Sequence, residues 1–263
     1  GTHQTGVEQF LLSRDLMGPC WVRIYGVETP SDRVASWCKY NFVVESEKAV
    51  HPLKDVLVRE AAAEAEEKGT DAAPIDLPPP PPLRVLSLSL KTKVDEKSHE
   101  HQIMVVSGLL RDNVDLVSET PKCDDPSKAR AFTILRGENG GAAFPAGFKD
   151  AVKRRGPQIS VQPSERALLS FLMVQFHKHD PDMIIGHNIR NFEMDVLLSR
   201  LSKLNIGLPW SKIGRLKMSK MPGRRSDGGG FFSSANLTPG RLLLDTYTTA
   251  RELLLGQRSY TLQ

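Results

Sequence analysis

The most constraining stretch of this chain is residues 180–198, DPDMIIGHNIRNFEMDVLL. Residues 182–185 form a short apolar run, residues 186–188 form a polar turn, and apolar residues then recur at helical spacing. The pattern predicts a strand, a turn and a helix, with Glu193 in the first helical turn. Because open α/β sheets bind ligands at the carboxyl ends of their strands, this junction is a candidate site. A purely structural strand–helix unit with a charged first turn explains the same pattern.

Three further strands and one helix are predicted around this junction. Residues 83–90, LRVLSLSL, alternate between two faces. One face carries Leu86, Leu88 and Leu90, and the other carries Val85, Ser87, Ser89 and Lys91. Residues 102–110 and 131–135 also have strand composition, and an amphipathic helix capped by Ser164 ends before Pro181. The order predicts an α/β domain in which the first three strands form a meander and the fourth lies beside the first.

The first 80 residues have a different composition from the remainder. Residues 1–58 contain aromatic and β-branched segments, which predict a small β-rich region. Residues 59–74 are rich in alanine and glutamate, and we expect a mobile insert there, with a frayed helix as the alternative. The five prolines at residues 78–82 predict a stiff extended connector, although a partner-binding polyproline motif has the same composition. The predicted domains are therefore residues 1–80 and 81–263.

Composition excludes several classes of protein. The chain has 263 residues, of which 40% are hydrophobic, so it can bury a substantial core. No apolar run approaches the roughly 20 residues that span a bilayer, and no signal peptide is evident, so we expect an intracellular protein without membrane contact. The three cysteines indicate neither a disulfide framework nor a zinc site. A net charge of +4 permits contact with a polyanion without requiring it.

Residues 210–225, here called the basic loop, are the strongest candidate for contact with nucleic acid. The loop combines Trp210 with six basic residues: Lys212, Arg215, Lys217, Lys220, Arg224 and Arg225. Cations suit a phosphate backbone and an aromatic ring suits a base, although a merely solvated basic loop has the same composition.

After the loop, residues 241–244 predict a short strand. Asp245 is then predicted to cap a helix, with a catalytic carboxylate as the less favoured role.

Several phrases resemble the catalytic subunits of family B DNA polymerases. These phrases are GTHQTGVEQFLL, GPCWV, SWCKYNF, DPDMIIGHNIRNFEMDVLL, WSKIGRLKMS and GRLLLDTYTTARELL. The resemblance extends over almost the whole chain. It implies that residues 1–80 belong to the N-terminal domain of such a polymerase, and that residues 81–263 form its exonuclease-like domain with an RNase H-like fold.

The chain departs from the proofreading members of that family. Their exonuclease motifs, D-x-E, N-x-x-x-F-D and Y-x-x-x-D, hold two metal ions with carboxylates. The resemblance places Ser89 and Lys91 at the D-x-E positions, and Asn188, Phe192 and Glu193 match the second motif with Glu in place of Asp. The third motif would lie beyond residue 263. A unit charge about 4 Å from a divalent ion interacts by at most roughly 8 kcal/mol at an effective dielectric near 20, and Lys91 makes this interaction repulsive. We expect no catalytic residue and no bound metal here.

The resemblance also implies properties of the parent protein. It would be a DNA-directed DNA polymerase that extends primase-made RNA primers in the nucleus, with Mg²⁺, and that acts with primase and accessory subunits. The aspartate motifs of nucleotidyl transfer are absent from these residues. We therefore expect a non-catalytic scaffold that contacts DNA and RNA–DNA primer-template; the candidate contacts are Asn188, Trp210, Lys212, Arg215 and Lys217. An active 3′–5′ exonuclease and a protein-interaction module are the two alternatives.

Overall fold

A computed structural model describes residues 6–260 except 17, 19, 31–34, 73, 116–128, 138–143, 207, 218, 220, 222–236, 255 and 258. The described residues belong to two compact units. The first unit holds two helices and a two-stranded sheet, and the second holds a six-stranded sheet, four helices and the short segment Ala35–Trp37. Within the described residues, no helix is long and apolar enough to cross a membrane.

The first unit contains less strand than its composition suggests. It consists of α1 (Gly6–Ser13), β1 (Val22–Ile24), β2 (Val50–Pro52) and α2 (Leu53–Lys68). The two strands pair antiparallel, and a single bridge joins Glu28 to Val43. The predicted β-rich character is thus limited to this short pair and the bridge, and the two helices account for more of the described residues.

The helix α2 corrects the prediction of a mobile insert at residues 59–74. The helix continues to Lys68 and ends at Gly69, whose left-handed backbone (φ 61°) lets its N–H reach the carbonyl oxygens of Ala65 and Glu66. Alanine and glutamate are strong helix formers, and Lys68 lies in the last turn, where a cation is favourable. Propensity and capping therefore stabilise a helix that buries little apolar surface.

The polyproline segment at residues 78–82 has neither helical nor strand structure. The indole N–H of Trp21 donates to the carbonyl oxygen of Pro79 at 2.8 Å. Because both residues belong to the first unit, this hydrogen bond holds the segment against that unit.

The second unit is organised by a mixed sheet. Its strands are β3 (Leu83–Val94), β4 (His101–Val114), β5 (Ala129–Arg136), β6 (Ile159–Gln162), β7 (Met183–Gly186) and β8 (Leu242–Asp245). Their spatial order is β6-β5-β4-β3-β7-β8, with β3, β4 and β5 antiparallel and the other pairs parallel. The predicted meander and the predicted position of β7 beside β3 are confirmed, whereas β6 was not predicted.

The second unit also has four described α-helices, and the second and third of them pack against the sheet and complete its core. The four helices are α3 (Phe148–Arg155), α4 (Glu165–His179), α5 (Met194–Lys203) and α6 (Thr246–Leu253). The predicted cap of α4 is confirmed, since the Ser164 hydroxyl accepts a hydrogen bond from the Ala167 N–H at 3.2 Å. The α4 residues Leu172 and Phe176 pack in the core with Leu88 of β3. Successive residues from Leu86 to Lys91 of β3 are therefore alternately buried in the core and exposed.

A buried ion cluster fixes α4 and α5 to the meander. The Glu165 carboxylate accepts two hydrogen bonds from Arg200, at 2.9 and 2.6 Å, and one from the Ile103 N–H at 2.8 Å. Arg136 lies 3.9 Å from the same carboxylate and donates to the Ile103 carbonyl oxygen. All three charged side chains are buried. Removing one member leaves buried charge without its partner, which is costly in a low-dielectric interior.

We expect Glu165→Ala to lower the free energy of unfolding by about 3–5 kcal/mol, because it removes the buried carboxylate that pairs with Arg200 and lies beside Arg136, and the part-exposed Glu100 compensates Arg200 less well. The matched control is Glu64→Ala, which removes an exposed i,i+4 pair with Lys68 and should cost no more than about 0.5 kcal/mol. Urea unfolding followed by circular dichroism measures both values. Equal losses in the two variants would contradict the structural role of the cluster.

Candidate functional site

The strand–turn–helix prediction is confirmed at the carboxyl end of β7. Gly186 ends this strand and pairs with Asp245, which ends the parallel strand β8, so both strands terminate at one edge of the sheet. Asn188 then adopts a left-handed conformation (φ 58°), and a five-residue π-helical turn, Ile189–Glu193, precedes α5. Glu193 thus ends a π-helical turn and does not lie in the first α-helical turn. Such turns are rare and often mark functional sites.

The Asp245 carboxylate holds this edge together. Its Oδ1 accepts hydrogen bonds from the backbone N–H groups of Asn188 (2.9 Å) and Tyr247 (3.0 Å), and its Oδ2 accepts one from Arg190 (3.1 Å). The side chain is buried, with 4% of its surface exposed. The predicted cap of α6 is confirmed, and the same carboxylate also fixes the turn that follows β7.

The side chain of Asn188 does not hold the turn in the way that was predicted. Its Oδ1 accepts a hydrogen bond from the side-chain amide of Asn191 at 3.3 Å. Its backbone N–H is the group that fixes the turn, by donating to Asp245. The prediction that the Asn188 side chain fixes the turn is therefore corrected: the Asp245 carboxylate, at the end of β8, accepts the hydrogen bonds that fix it.

Glu193 occupies the centre of the candidate site. Only 7% of its surface is exposed, and its Oε1 accepts a hydrogen bond from the Leu90 N–H of β3 at 3.0 Å. Its Oε2 is buried, and the described residues offer it no hydrogen-bond partner. Gly186 makes room for this oxygen, because an added Cβ there would lie 2.8 Å from Oε2 and 2.8 Å from the Ile189 Cβ.

The environment of Glu193 disfavours its charged form. Burial raises the pKa of its carboxyl group to about 7, and the negative charge of Asp245 contributes to the increase. The hydrogen bond from the Leu90 N–H opposes the increase, and so does the polar side chain of Ser89. At neutral pH the carboxyl group is therefore protonated in a large fraction of molecules.

The residues at the predicted D-x-E positions lie on the solvent-facing side of β3. Ser89 and Lys91 are both exposed, and Ser89 lies opposite Ser107 of β4. The hydrogen bond that joins Glu193 to β3 comes from the backbone N–H of Leu90, which lies between these two positions. Within the part of the chain that the structure describes, no ion pair joins Lys91 to Glu193 or Asp245.

These groups do not fit a pair of hard divalent ions. Such ions take ionised oxygen ligands, but burial raises the pKa of Glu193 to about 7, and the oxygens of Asp245 already accept three backbone hydrogen bonds. Ser89 offers a neutral hydroxyl and Lys91 a cation. Among the described residues, no three His, Cys, Asp or Glu side chains form a group that could hold a metal.

Two of the candidate nucleic-acid contacts in the basic loop are committed to the fold. Trp210 is completely buried, with 0% of its surface exposed, so the predicted stacking of a base on this ring is wrong. Arg215 pairs with Asp180 (3.0 Å) and Asp182 (2.6 Å), which makes it a structural residue. Lys212 and Lys217 are half-buried. Lys220, Arg224 and Arg225 lie outside the described residues.

Comparison with known proteins agrees with this architecture. The family model described as "DNA polymerase family B, exonuclease domain" matches residues 4–263. The chain belongs to the exonuclease domain of family B DNA polymerases. The six-stranded mixed sheet flanked by helices is consistent with the RNase H-like fold of this exonuclease domain family.

Curated relatives of the family B exonuclease domain include three similar proteins, each named DNA polymerase alpha catalytic subunit. The chain is 36% identical to the one from Arabidopsis thaliana over 276 residues, covering 100% of this chain and 17% of the relative. It is 34% identical to the Xenopus laevis protein and 31% identical to the Mus musculus protein, in each case over 254 residues covering 97% of this chain and 15% of the relative. The chain therefore spans about one-sixth of the length of these relatives.

The sequence did not predict which groups hold Glu193 and the turn before it. The Leu90 N–H and the threefold role of Asp245 depend on which strands become neighbours. Gly186 did give a signal, since a glycine at the end of an apolar strand often marks a close approach of other atoms.

We expect Gly186→Ala to destabilise the second unit by about 1–3 kcal/mol, because the new Cβ clashes with Glu193 and Ile189. Gly18→Ala is the matched control, since no atom lies within 4 Å of the added Cβ there. Urea unfolding of the two variants and the unmodified chain tests the expectation. A Gly186→Ala chain with an unchanged urea midpoint would show that Glu193 and Ile189 move aside freely.

The raised pKa of Glu193 predicts a specific pH dependence of stability. Because the folded chain binds this proton more tightly than the unfolded chain, stability falls as the pH rises from about 4.5 to about 7, and is level above that range. Glu193→Gln removes this contribution. The unfolding free energy of the variant minus that of the unmodified chain should therefore be larger at pH 8 than at pH 5, by on the order of 1–3 kcal/mol.

Urea unfolding at the two pH values measures this difference. Glu67→Gln, on the exposed surface of α2, is the control and should give the same difference at both pH values. A Glu193→Gln chain that behaves like the control would show that the Glu193 carboxyl group is charged throughout this range.

Proposed function

We propose that this chain is a nuclease-inactive exonuclease-like region of the catalytic subunit of a replicative DNA polymerase. The observation that carries the proposal is the arrangement of Ser89, Lys91 and Glu193 at the carboxyl edge of the sheet. Two positions that hold carboxylates in proofreading relatives carry a hydroxyl and an ammonium group, and the remaining carboxyl group has a pKa near 7. Such a set of groups supports a scaffold better than a hydrolytic centre.

The geometry gives Glu193 a structural role in this scaffold. Its carboxyl group joins the π-helical turn after β7 to the backbone of β3, and so connects two neighbouring strands at the edge where the family would cut nucleic acid. Two-metal hydrolysis requires the negative charge of several carboxylates to hold two ions and stabilise the leaving oxygen. Ser89 and Lys91 carry no negative charge, and the pKa of Glu193 is about 7, so most of that charge is missing.

The parent protein is proposed to be a DNA-directed DNA polymerase. The relatives named DNA polymerase alpha catalytic subunit support this assignment across the whole of the present chain. We propose that the parent extends RNA primers with DNA in the nucleus, uses Mg²⁺ for nucleotidyl transfer outside these residues, and assembles with primase and accessory subunits.

We also propose that the chain contacts primer-template or single-stranded nucleic acid through the basic loop. Lys212 and Lys217 are the described loop cations that are not committed to ion pairs with the sheet. A pure protein-interaction module is the competing function. It differs in a measurable way, because phosphate contacts make the affinity for nucleic acid fall steeply with salt concentration.

We expect no release of nucleotides from the 3′ end of a labelled primer when the chain is incubated with Mg²⁺ or Mn²⁺, because the described groups do not hold a metal pair. Glu193→Ala should give the same blank result. The double variant Ser89→Asp/Lys91→Glu should bind Mn²⁺ more tightly than the unmodified chain, as measured by electron paramagnetic resonance. Metal-dependent nucleotide release that Glu193→Ala abolishes would overturn the proposal in favour of an active 3′–5′ exonuclease.

A further inference from the structure

The aromatic ring that accompanies the basic loop belongs to Trp37. The segment Ala35–Trp37 runs antiparallel to the loop, with a bridge between Ser36 and Leu216. The Trp37 N–H donates to the Arg215 carbonyl oxygen at 2.7 Å, and the Lys217 N–H donates to that of Ala35 at 2.9 Å. Two backbone hydrogen bonds therefore place Trp37 beside Lys217, although the two residues are far apart in the sequence.

The indole of Trp37 is both held and accessible. The Lys217 ammonium nitrogen lies 5.3 Å from the ring centroid, within the range of a cation–π contact. The His177 ring, near the end of α4, meets the indole edge-on with centroids 5.1 Å apart. Trp37 nevertheless exposes 37% of its surface, whereas Trp210 exposes 0%. A ring that is fixed in orientation and open to solvent can stack on a planar ligand without much loss of conformational entropy.

The charges around Trp37 favour an anionic partner. Lys217 and the exposed Lys178 of α4 lie beside Trp37 and His177, respectively. The nearby carboxylates of Asp180 and Asp182 are already paired with arginine side chains, so they do not neutralise these lysines. A cation and an exposed aromatic ring together fit a nucleotide, which carries a phosphate and a base.

We propose that Trp37, His177 and Lys217, the Trp37 platform, bind single-stranded nucleic acid. One base stacks on the indole of Trp37, and the Lys217 ammonium contacts an adjacent phosphate. Stacking on an aromatic ring does not select a base, because every base has a π face, so the platform suits a strand of any sequence. The inference rests on the proposed nucleic-acid contact of the basic loop and names the residue that engages the bases.

Fluorescence anisotropy with a 5′-fluorescein-labelled oligothymidylate of twelve nucleotides tests the platform on the full chain. Trp37→Ala should weaken binding roughly 5- to 150-fold, the range found when an aromatic stacking partner is removed. An abasic strand of the same length presents the phosphates without the bases, so it should bind more weakly than the oligothymidylate. Its affinity should be the same for Trp37→Ala and for the unmodified chain. Lys217→Ala should weaken binding of both strands and lower the slope of log affinity against log salt by about 0.7.

Tryptophan fluorescence supplies a second readout that does not depend on a destabilising substitution. Base stacking should quench Trp37, so the oligothymidylate should quench the unmodified chain and should not quench Trp37→Phe beyond the signal of the abasic strand. Trp21→Phe is the matched control, because Trp21 is similarly exposed (44%) but lies in the first unit, and it should leave the quenching intact.

The platform would be overturned by unchanged affinity in Trp37→Ala together with unchanged quenching in Trp37→Phe, by an equal loss of affinity for the abasic strand, or by no binding to the unmodified chain. Salt-independent binding would favour a protein partner instead and would also overturn it. None of these results bears on nucleotide release from a primer. Metal-dependent release, in contrast, would overturn the nuclease-inactive assignment and leave the platform intact.

Discussion

The buried carboxylate of Asp245 is the constraint on which the candidate site depends. Three part-buried backbone N–H groups, two from the turn after β7 and one from the first turn of α6, donate to it, and each would lose its acceptor without it. Charge-assisted hydrogen bonds of this kind are strong in a low-dielectric interior. By fixing the left-handed Asn188 and the start of the π-helical turn, Asp245 determines where that turn ends. Glu193 is the residue at that end, so its position beside β3 follows from a carboxylate on β8.

The same arrangement explains the chemistry of Glu193. A second carboxyl group beside a buried, fully hydrogen-bonded carboxylate is less easily ionised, because burial and like charge both penalise its negative form. In a nuclease, divalent ions would reverse this penalty by supplying positive charge. Here the neighbouring strand supplies the backbone N–H of Leu90, and its Ser89 and Lys91 side chains are exposed. The carboxyl group of Glu193 is therefore a hydrogen-bonding link between two strands, and in the proposed scaffold this link takes the place of a metal site.

Sequence reasoning succeeded for features that depend on residues close together in the sequence, and it failed for most features that depend on tertiary packing. The alternation of β3, the Ser164 cap and the strand–turn–helix at β7 were predicted because each depends on neighbouring residues. The helix α2 was judged a mobile insert because it buries little, yet propensity and a Gly69 cap suffice to form it. Trp210 was assigned to nucleic acid although it lies in the core, and Trp37 was overlooked. Only tertiary packing determines which of two tryptophans is exposed, so no local pattern distinguishes them.

The arginines and lysines in and near the basic loop have different partners, and the difference follows from their chemistry. Arg215 and the almost fully buried Arg241 both pair with Asp180, and Arg215 also pairs with Asp182. Planar guanidinium groups thus form the ion pairs that join this part of the chain to the residues just before β7. Arginine suits this task because it presents several donors in a fixed plane. Lysine carries a compact charge on a flexible stem, which suits a phosphate whose position varies along a strand. Since ion pairs of Arg215 and backbone hydrogen bonds to Ala35 and Trp37 hold residues 215–217, the proposed Trp37 platform is formed before any ligand binds.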